Sequence, residues 1–460
     1  MECFPSSAEG EQTNINKERN NIQIMRAPTI YVGILTRKAI TFTFNQEYVM
    51  VENGAFLRGE QRAILIDGRI VFNGKMYNQL FFEPTSPNAT FDLQAVTIGV
   101  DFHWQQQEDQ RFQGALEITP SKEGLVAINH IDLEQYLTCV IASEMNARSP
   151  REFLKAHAVI SRSWVLAQIE KKRKQTEHPQ SCFRDNEKLI RWYDREDHTL
   201  FDVCADDHCQ RYQGLTRAAQ NPYIQAIIKA TRGEVLTYEG ETCDTRFSKC
   251  CGGVTEEFEH CWEPVHHPYL SSVADRPDSA PVPDLTQEAE AEKWIRSYPP
   301  SFCQTSDTHL LSIILNQYDQ STQFYRWEVS YSQEELSELV YRKSGIPFGK
   351  IIDLLPQKRG KSGRIEELKI VGSERSYIIG KELEIRRVLS ESHLYSSAFV
   401  VDRIFGEDPK VPTRFVLKGA GWGHGVGLCQ IGAAVMSTQG YNYQQILAHY
   451  FPGSNLDKRY

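Results

Sequence analysis

Gly-Ala-Gly-Trp-Gly-His-Gly-Val-Gly-Leu-Cys-Gln-Ile-Gly-Ala, residues 419 to 433, carries glycine at 419, 421, 423, 425, 427 and 432. Such a backbone reaches positive φ and lets another group approach closely. His424 sits among the glycines, and Gln430 precedes the apolar run Ile431 to Met436, which predicts a helix. A loop this bare, feeding a helix N-terminus, presents unpaired N–H groups and one imidazole to whatever lies over it. Neither phosphate-loop pattern applies, since no Gly-Lys-Ser/Thr closes the loop and no Gly-x-Gly-x-x-Gly fingerprint starts at Gly421 or Gly423. Most Gly-rich loops are turns and most lone histidines are structural. Glycine at every second position is nevertheless rare, and it favours the wall of a binding site.

Outward from that loop, 460 residues suffice for two or three domains with their own cores. Hydrophobic residues make up 40% and charged residues 24%, a globular composition. The net charge of −9, with no basic block to offset it, argues against nucleic acid as the main partner. Eleven cysteines are too sparse for a disulfide scaffold and odd in number, and several cluster between 204 and 261. That clustering suggests a local metal or thiol site. No stretch approaches the ~20 apolar residues of a membrane span, and the polar start, Met1 to Asn21, lacks the apolar run of a secretory signal.

The organisation reads as α+β. Residues 1–27 read as a disordered tail. Residues 28–125 are β-rich, with short alternating runs punctuated by Asn53-Gly54, Asp67-Gly68 and Asn73-Gly74. Residues 126–283 open with a helix capped by Asp132 and ending near Ser143-Glu144-Met145-Asn146. A second helix after Ser149-Pro150 carries Phe153, Leu154, Val159, Ile160 and Trp164. Residues 284–460 add amphipathic helices around 310–316 and 332–341, a β-rich stretch over 350–402, and the Gly-rich loop with its helix.

Three constellations carry chemistry. Glu144 closes an apolar helix, where partial burial would raise a carboxyl's pKa toward the range useful to a general acid. The bland alternative is a surface pairing with Arg162, and spacing alone favours it. His198, Cys204, His208 and Cys209 place two imidazoles and two thiols within twelve residues, the donor set of a tetrahedral zinc. Four protein ligands leave no open position, so such a zinc would be structural and is not required for the chemistry. Cys250-Cys251-Gly252-Gly253-Val254-Thr255 offers Cys251 as a nucleophile with His260, His266 or His267 as base, although a buried, inert thiol pair is the commoner outcome.

Together these stretches resemble the family of stage II sporulation protein D and the LytB amidase enhancers. One block of the match runs from Asn129 to Trp164, with Leu133-Glu134-Gln135-Tyr136-Leu137, Ser143-Glu144-Met145 and Lys155-Ala156-His157-Ala158-Val159. Another joins Phe247 to Thr255 with Pro268 to Asp275, and the third is the loop from Gly421 to Ala433. The resemblance implies a lytic transglycosylase cutting the MurNAc-GlcNAc strand of peptidoglycan, stripped of stem peptides, to a 1,6-anhydro-MurNAc product. It makes Glu144 the catalytic acid and implies that Arg162, Lys155, Ser248, Thr255, Asp275, His424 and Gln430 bind sugar or orient the acid. The Cys/His loop is similar to a zinc-binding loop of some members. The family implies the cell envelope as location and a cell-wall amidase as partner. Cys250-Cys251 replace the commoner Thr-Ser, Asn146-Ala147 replace a proline after the methionine, and Cys429 stands where serine is frequent. Two rival readings are a non-catalytic enhancer of an N-acetylmuramoyl-L-alanine amidase, and a hydrolase using zinc at Cys204, His208 and Cys209.

Overall fold

A computed structural model describes residues 26–99, 105–174, 180–193, 198–206, 208–216, 219–278, 280–314 and 323–460. Of the expected N-terminal tail, residues 1–25 lie outside this set, as do residues 315–316 of one expected helix.

Alternation along Ala39–Met50 turns Ile40, Phe42, Phe44, Tyr48 and Met50 to one face, where all are buried. Their rings stack within one aromatic cluster: Phe44 lies 4.3 Å from Tyr48 and 5.2 Å from Phe82, centroid to centroid. Asp67-Gly68, with φ of 49° and 74°, turns the chain from Ala55–Ile66 into Arg69–Phe72. Positive φ at both central positions matches the twist of the flanking strands, which is why these dipeptides mark hairpins. An eleven-stranded sheet results. At its functional end, Thr29–Arg37 pairs antiparallel with Leu125–Asp132, and Val203–Cys204 adds in parallel beside Val32 and Gly33. That short edge strand brings the Cys/His loop to the sheet.

Asp132 ends its strand and caps the helix Leu133–Glu144, accepting the Glu134 N–H at 2.9 Å. The 24-residue helix Arg151–Lys174 follows, with the Pro150 carbonyl accepting the Leu154 N–H, so the proline sits where no helical donor is needed. Phe153, Leu154, Ala156, Ala158, Val159 and Ile160 are fully buried on it. The same core takes in the helices Gln430–Thr438 and Tyr443–Tyr450.

A second core gathers Trp327, Leu336, Val340, Ile351, Leu368, Ile379, Ile385, Phe415 and Leu417. It lies between the strands Ile351–Arg359, Ile365–Gly372 and Ser376–Gly380 and the helices Gln333–Ser344 and Glu382–Val388. The stretch 350–402, expected to be β-rich, thus holds a helix as well; its seven residues are too few for a periodic signal. The cores interleave along the chain. Leu189, from a strand pair at 182–191, packs in the second core, and the chain returns to the first after Ala420. Divisions at 125 and 283 therefore cut within the first core instead of between the two. Among the described residues no helix is long and apolar enough to cross a membrane.

Candidate active site

Glu144 is the last residue of the helix Leu133–Glu144 and is half-buried. Its Oε1 accepts the Arg211 N–H at 3.0 Å, and the Ser143 hydroxyl beside it accepts the Gln213 N–H at 3.3 Å. The segment 210–213 therefore holds the end of this helix. Gln210 wedges alongside, taking the Tyr136 hydroxyl at 3.3 Å and donating to the Ser161 carbonyl at 3.3 Å. Tyr212 stacks on Tyr136 with centroids 5.2 Å apart and donates to Asn129 Oδ1 at 2.6 Å.

Segment 210–213 is the direct continuation of the Cys/His loop. His198 Nε2 and His208 Nδ1 each lie 3.5 Å from Cys209 Sγ, and the four donor atoms of His198, Cys204, His208 and Cys209 all fall within 4.8 Å of one another. Zn–S bonds of ~2.3 Å and Zn–N bonds of ~2.0 Å give a tetrahedron an N···S edge of about 3.5 Å. Two of the donor separations match that edge, and the donor set is one that suits zinc. Hydrogen bonds from Cys209 and then from the two imidazoles overcome burial and hold the Cys204 thiol well below its ordinary value.

The glycine loop meets protein where open space was expected. Gly421, Gly423, Gly425 and Gly427 all have positive φ, between 70° and 94°. A Cβ on Gly421 would lie 2.7 Å from the Cys250 carbonyl oxygen and 2.9 Å from Arg364 Nη2, and one on Gly425 would run into the same guanidinium. Arg364 is fully buried and donates to the carbonyls of Gly423 and Cys251 and to Ser362 Oγ, at 3.1, 3.1 and 2.9 Å. The glycines thus make room for an arginine threaded through the loop, not for a bare trough. Trp422, Gly423 and His424 alone keep partial exposure there. Trp422 stacks on Tyr395 at 4.0 Å with Lys249 over its face, and His424 packs on Trp262 at 4.7 Å.

Burial, and then the nearby Arg246 and Arg364 charges, push the His424 ring well below its ordinary value, so it is neutral. Its Nδ1 accepts the Val426 N–H at 3.0 Å, which leaves the ring proton on Nε2. Arg246 lies over the Trp262 ring on which His424 packs, 4.4 Å from its centroid.

Several residues expected to bind substrate are placed otherwise. Arg162 has no exposure; its Nε and Nη2 clasp Glu134 at 2.9 Å each, and Nη1 donates to the Glu234 carbonyl at 2.9 Å. It is a buried structural ion pair, and the expected alternative pairing with Glu144 does not hold either. Asp275 is fully buried, accepting the Tyr450 hydroxyl at 2.5 Å and the Cys303 N–H at 2.8 Å. Thr255 exchanges hydrogen bonds with the Val273 backbone. Lys155 pairs with Glu152 at 2.7 Å beside the Tyr443 ring. Ser248 lies buried under Gly423, its hydroxyl without a hydrogen-bond partner among the described residues. Gln430 is buried and turned to His157, 3.2 Å away. Cys251 meets Cys303 at 3.6 Å and no imidazole: His260 bonds with Glu366, His266 with Glu259 and His267 with Tyr269. The nucleophile reading of Cys251 therefore lacks its base.

His157, Arg364 and Cys303 were missed in the sequence. His157 stands in the quoted helical segment, and its burial among apolar neighbours was the available signal. Cys303 lies far along the chain from its partners and gave none, and Arg364 was marked only by Ser362-Gly363-Arg364 within a weaker part of the family resemblance. A cavity of about 430 Å³ opens beside Ile431, lined by Tyr298, Gln304, Leu311, Phe324 and Tyr325. Ser149, five residues past Glu144, donates to the Ile313 carbonyl at 3.1 Å and so ties the turn after that helix to this region.

Residues 121–238 match the family described as Stage II sporulation protein, and residues 256–427 match Domain of unknown function DUF8618. An uncharacterized protein of Brachyspira hyodysenteriae is 25% identical over 345 residues, 75% of this chain and 72% of its own. Stage II sporulation protein D of Bacillus subtilis is 23% identical over 332 residues, covering 72% of this chain and 76% of that protein. The Amidase enhancer of Bacillus subtilis is 25% identical over 243 residues, 51% of this chain and 33% of its own length. Over residues 121–238 the chain is thus similar to the Stage II sporulation protein family, and its relatives include a stage II sporulation protein D and an Amidase enhancer.

Proposed function

We propose that the protein is a lytic transglycosylase of the bacterial cell wall, acting in the cell envelope on MurNAc-GlcNAc strands freed of stem peptides. The supporting observation is the Glu144 carboxyl, half-buried at a helix end and oriented by the Arg211 N–H. In the acid form it protonates the glycosidic oxygen as the bond to the muramoyl C1 breaks. The carboxylate then takes the proton of the C6 hydroxyl as O6 closes on C1, giving the 1,6-anhydro product. No water enters, so a single carboxyl suffices, unlike the paired carboxylates of hydrolases. The aromatic rings of the cavity beside Ile431 suit the apolar faces of sugar rings.

A structural zinc on His198, Cys204, His208 and Cys209 would supply no reacting group. It would fix the loop whose next turn holds Glu144. With four protein donors its shell is closed, which argues against a zinc hydrolase. The test is release of anhydro-muropeptides from purified glycan strands, with and without stem peptides. Glu144→Gln should lower the rate ~10²-fold or more while leaving glycan binding in place; an equally active variant, or an inert wild type, rejects the reading.

The relative named Amidase enhancer supports a second reading: a non-catalytic protein that binds glycan and stimulates an N-acetylmuramoyl-L-alanine amidase. It predicts amidase stimulation that survives Glu144→Gln.

A further inference from the structure

Away from the Cys/His loop, Cys251, Cys303, Cys429 and Asp275 converge from four separate segments, each no more than 2% exposed. Their donor atoms all lie within 4.8 Å of one another, and Cys251 Sγ stands 3.6 Å from Cys303 Sγ. A disulfide needs ~2.05 Å. A tetrahedral zinc with bonds of ~2.3 Å needs sulfur–sulfur edges of about 3.8 Å. The Cys251–Cys303 separation matches such an edge, and the other two donors lie close enough to reach the same ion.

The surroundings are those of coordinated thiolates. The Cys251 N–H donates to Cys429 Sγ at 3.2 Å and Ser301 Oγ lies 3.5 Å from Cys303 Sγ, the kind of outer contact that orients a ligand sulfur. Tyr450 and the Cys303 N–H fix the Asp275 carboxyl at 2.5 and 2.8 Å. Cys429 is the N-cap of the nine-residue helix Gln430–Thr438, whose positive end favours anionic sulfur. Arg326 and Arg364 are buried nearby, donating to the Gly252 and Cys251 carbonyls at 3.0 and 3.1 Å.

We propose that Cys251, Cys303, Cys429 and Asp275 form a second metal centre, a closed tetrahedral site for one thiophilic divalent cation, zinc by its donor set. All four positions are taken by protein, so the ion is structural. It staples the Cys-Cys-Gly-Gly turn to the helix that begins the last part of the first core. Metal binding displaces the thiol protons and leaves three thiolates on the ion. Nothing in this rests on the glycan reading.

The full chain, expressed with zinc, is assayed by inductively coupled plasma mass spectrometry. Cys303→Ser should lose one zinc equivalent relative to wild type, and Cys204→Ala/Cys209→Ala should retain one. An unchanged zinc content in Cys303→Ser overturns the site, as does a metal-free Cys204→Ala/Cys209→Ala protein that keeps its fold by circular dichroism. In case Cys303→Ser does not fold, wild type settles the matter alone. Native alkylation mapped by mass spectrometry should spare Cys251, Cys303 and Cys429 until a strong chelator is added. Cobalt exchanged into Cys204→Ala/Cys209→Ala should show thiolate charge-transfer absorption. A Cys251–Cys303 disulfide in freshly purified protein, or alkylation indifferent to chelator, overturns the proposal.

Discussion

Gln430 Nε2 lies 3.2 Å from His157 Nε2, a contact between the glycine-loop helix and the long helix across 273 residues of chain. Burial pushes His157 down to about 3, so the ring is neutral. With Gln430 donating at Nε2, the ring proton sits at Nδ1, 3.2 Å from Ser161 Oγ. The tautomer is assigned from these partners. Gln430→Leu leaves the ring nitrogen buried without a donor, and should destabilise the fold by about 1–3 kcal/mol in urea unfolding.

The same ring has a signature in pH. The unfolded chain binds a proton below ~6.5, while the folded ring resists it until about 3. Stability should therefore fall as pH drops from 6.5 toward 3, with a slope of up to ~1.4 kcal/mol per pH unit from this one group. Urea midpoints measured across that range should show a shallower slope in His157→Gln than in wild type.

The threading of Arg364 predicts a contrast between two glycines. Gly68 and Gly425 have φ of 74° and 81°, but a Cβ on Gly68 meets nothing within 4 Å, whereas one on Gly425 collides with the Arg364 guanidinium. Gly68→Ala should cost about 1 kcal/mol, from strain in the left-handed region alone. Gly425→Ala should cost at least ~2 kcal/mol more, because the buried guanidinium must give up hydrogen bonds to move. Equal losses in thermal unfolding would contradict the packing account.

Removing the zinc proposed for the Cys/His loop should be felt at Glu144. The Arg211 N–H that donates to Glu144 lies two residues past Cys209, so hydrogen exchange at the Arg211 amide should speed up in Cys209→Ser or under chelation. The proposed transglycosylase activity should fall in parallel. The amides of Val159 and Ile160, deep in the long helix, should keep their protection.

Glu366 is buried among His260 Nδ1, Lys381 Nζ and Lys358 Nζ, each 2.8 Å away. Burial opposes its charge, yet the bonds from His260 and the lysines hold it down to about 2, and Glu257 and Glu366 lift His260 to about 10 against burial. The carboxylate's contribution is present above pH ~4.3 and lost as pH falls toward 2; the imidazolium's is present below ~6.5 and lost as pH rises through 10. Glu366→Gln should lower stability near pH 6 by about 3 kcal/mol and flatten both limbs of the pH profile.

Local sequence determined a good deal of this protein. Asp132 as a cap, Asp67-Gly68 as a hairpin, the apolar stripe of the long helix and Glu144 at a helix end all rest on contacts within a few residues. His198, Cys204, His208 and Cys209 were legible as a donor set because they fall within twelve residues. Tertiary structure alone decided which polar groups face a ligand and which face each other. Arg162 and Asp275 look like binding residues in one dimension, but Glu134, Cys303 and Tyr450 take them up from distant segments. The alternating glycines announced a close approach without naming what approaches, and the answer, Arg364, lies more than fifty residues earlier. Burying a charge is tolerable only beside its partner, and the folded chain alone determines which partner is there.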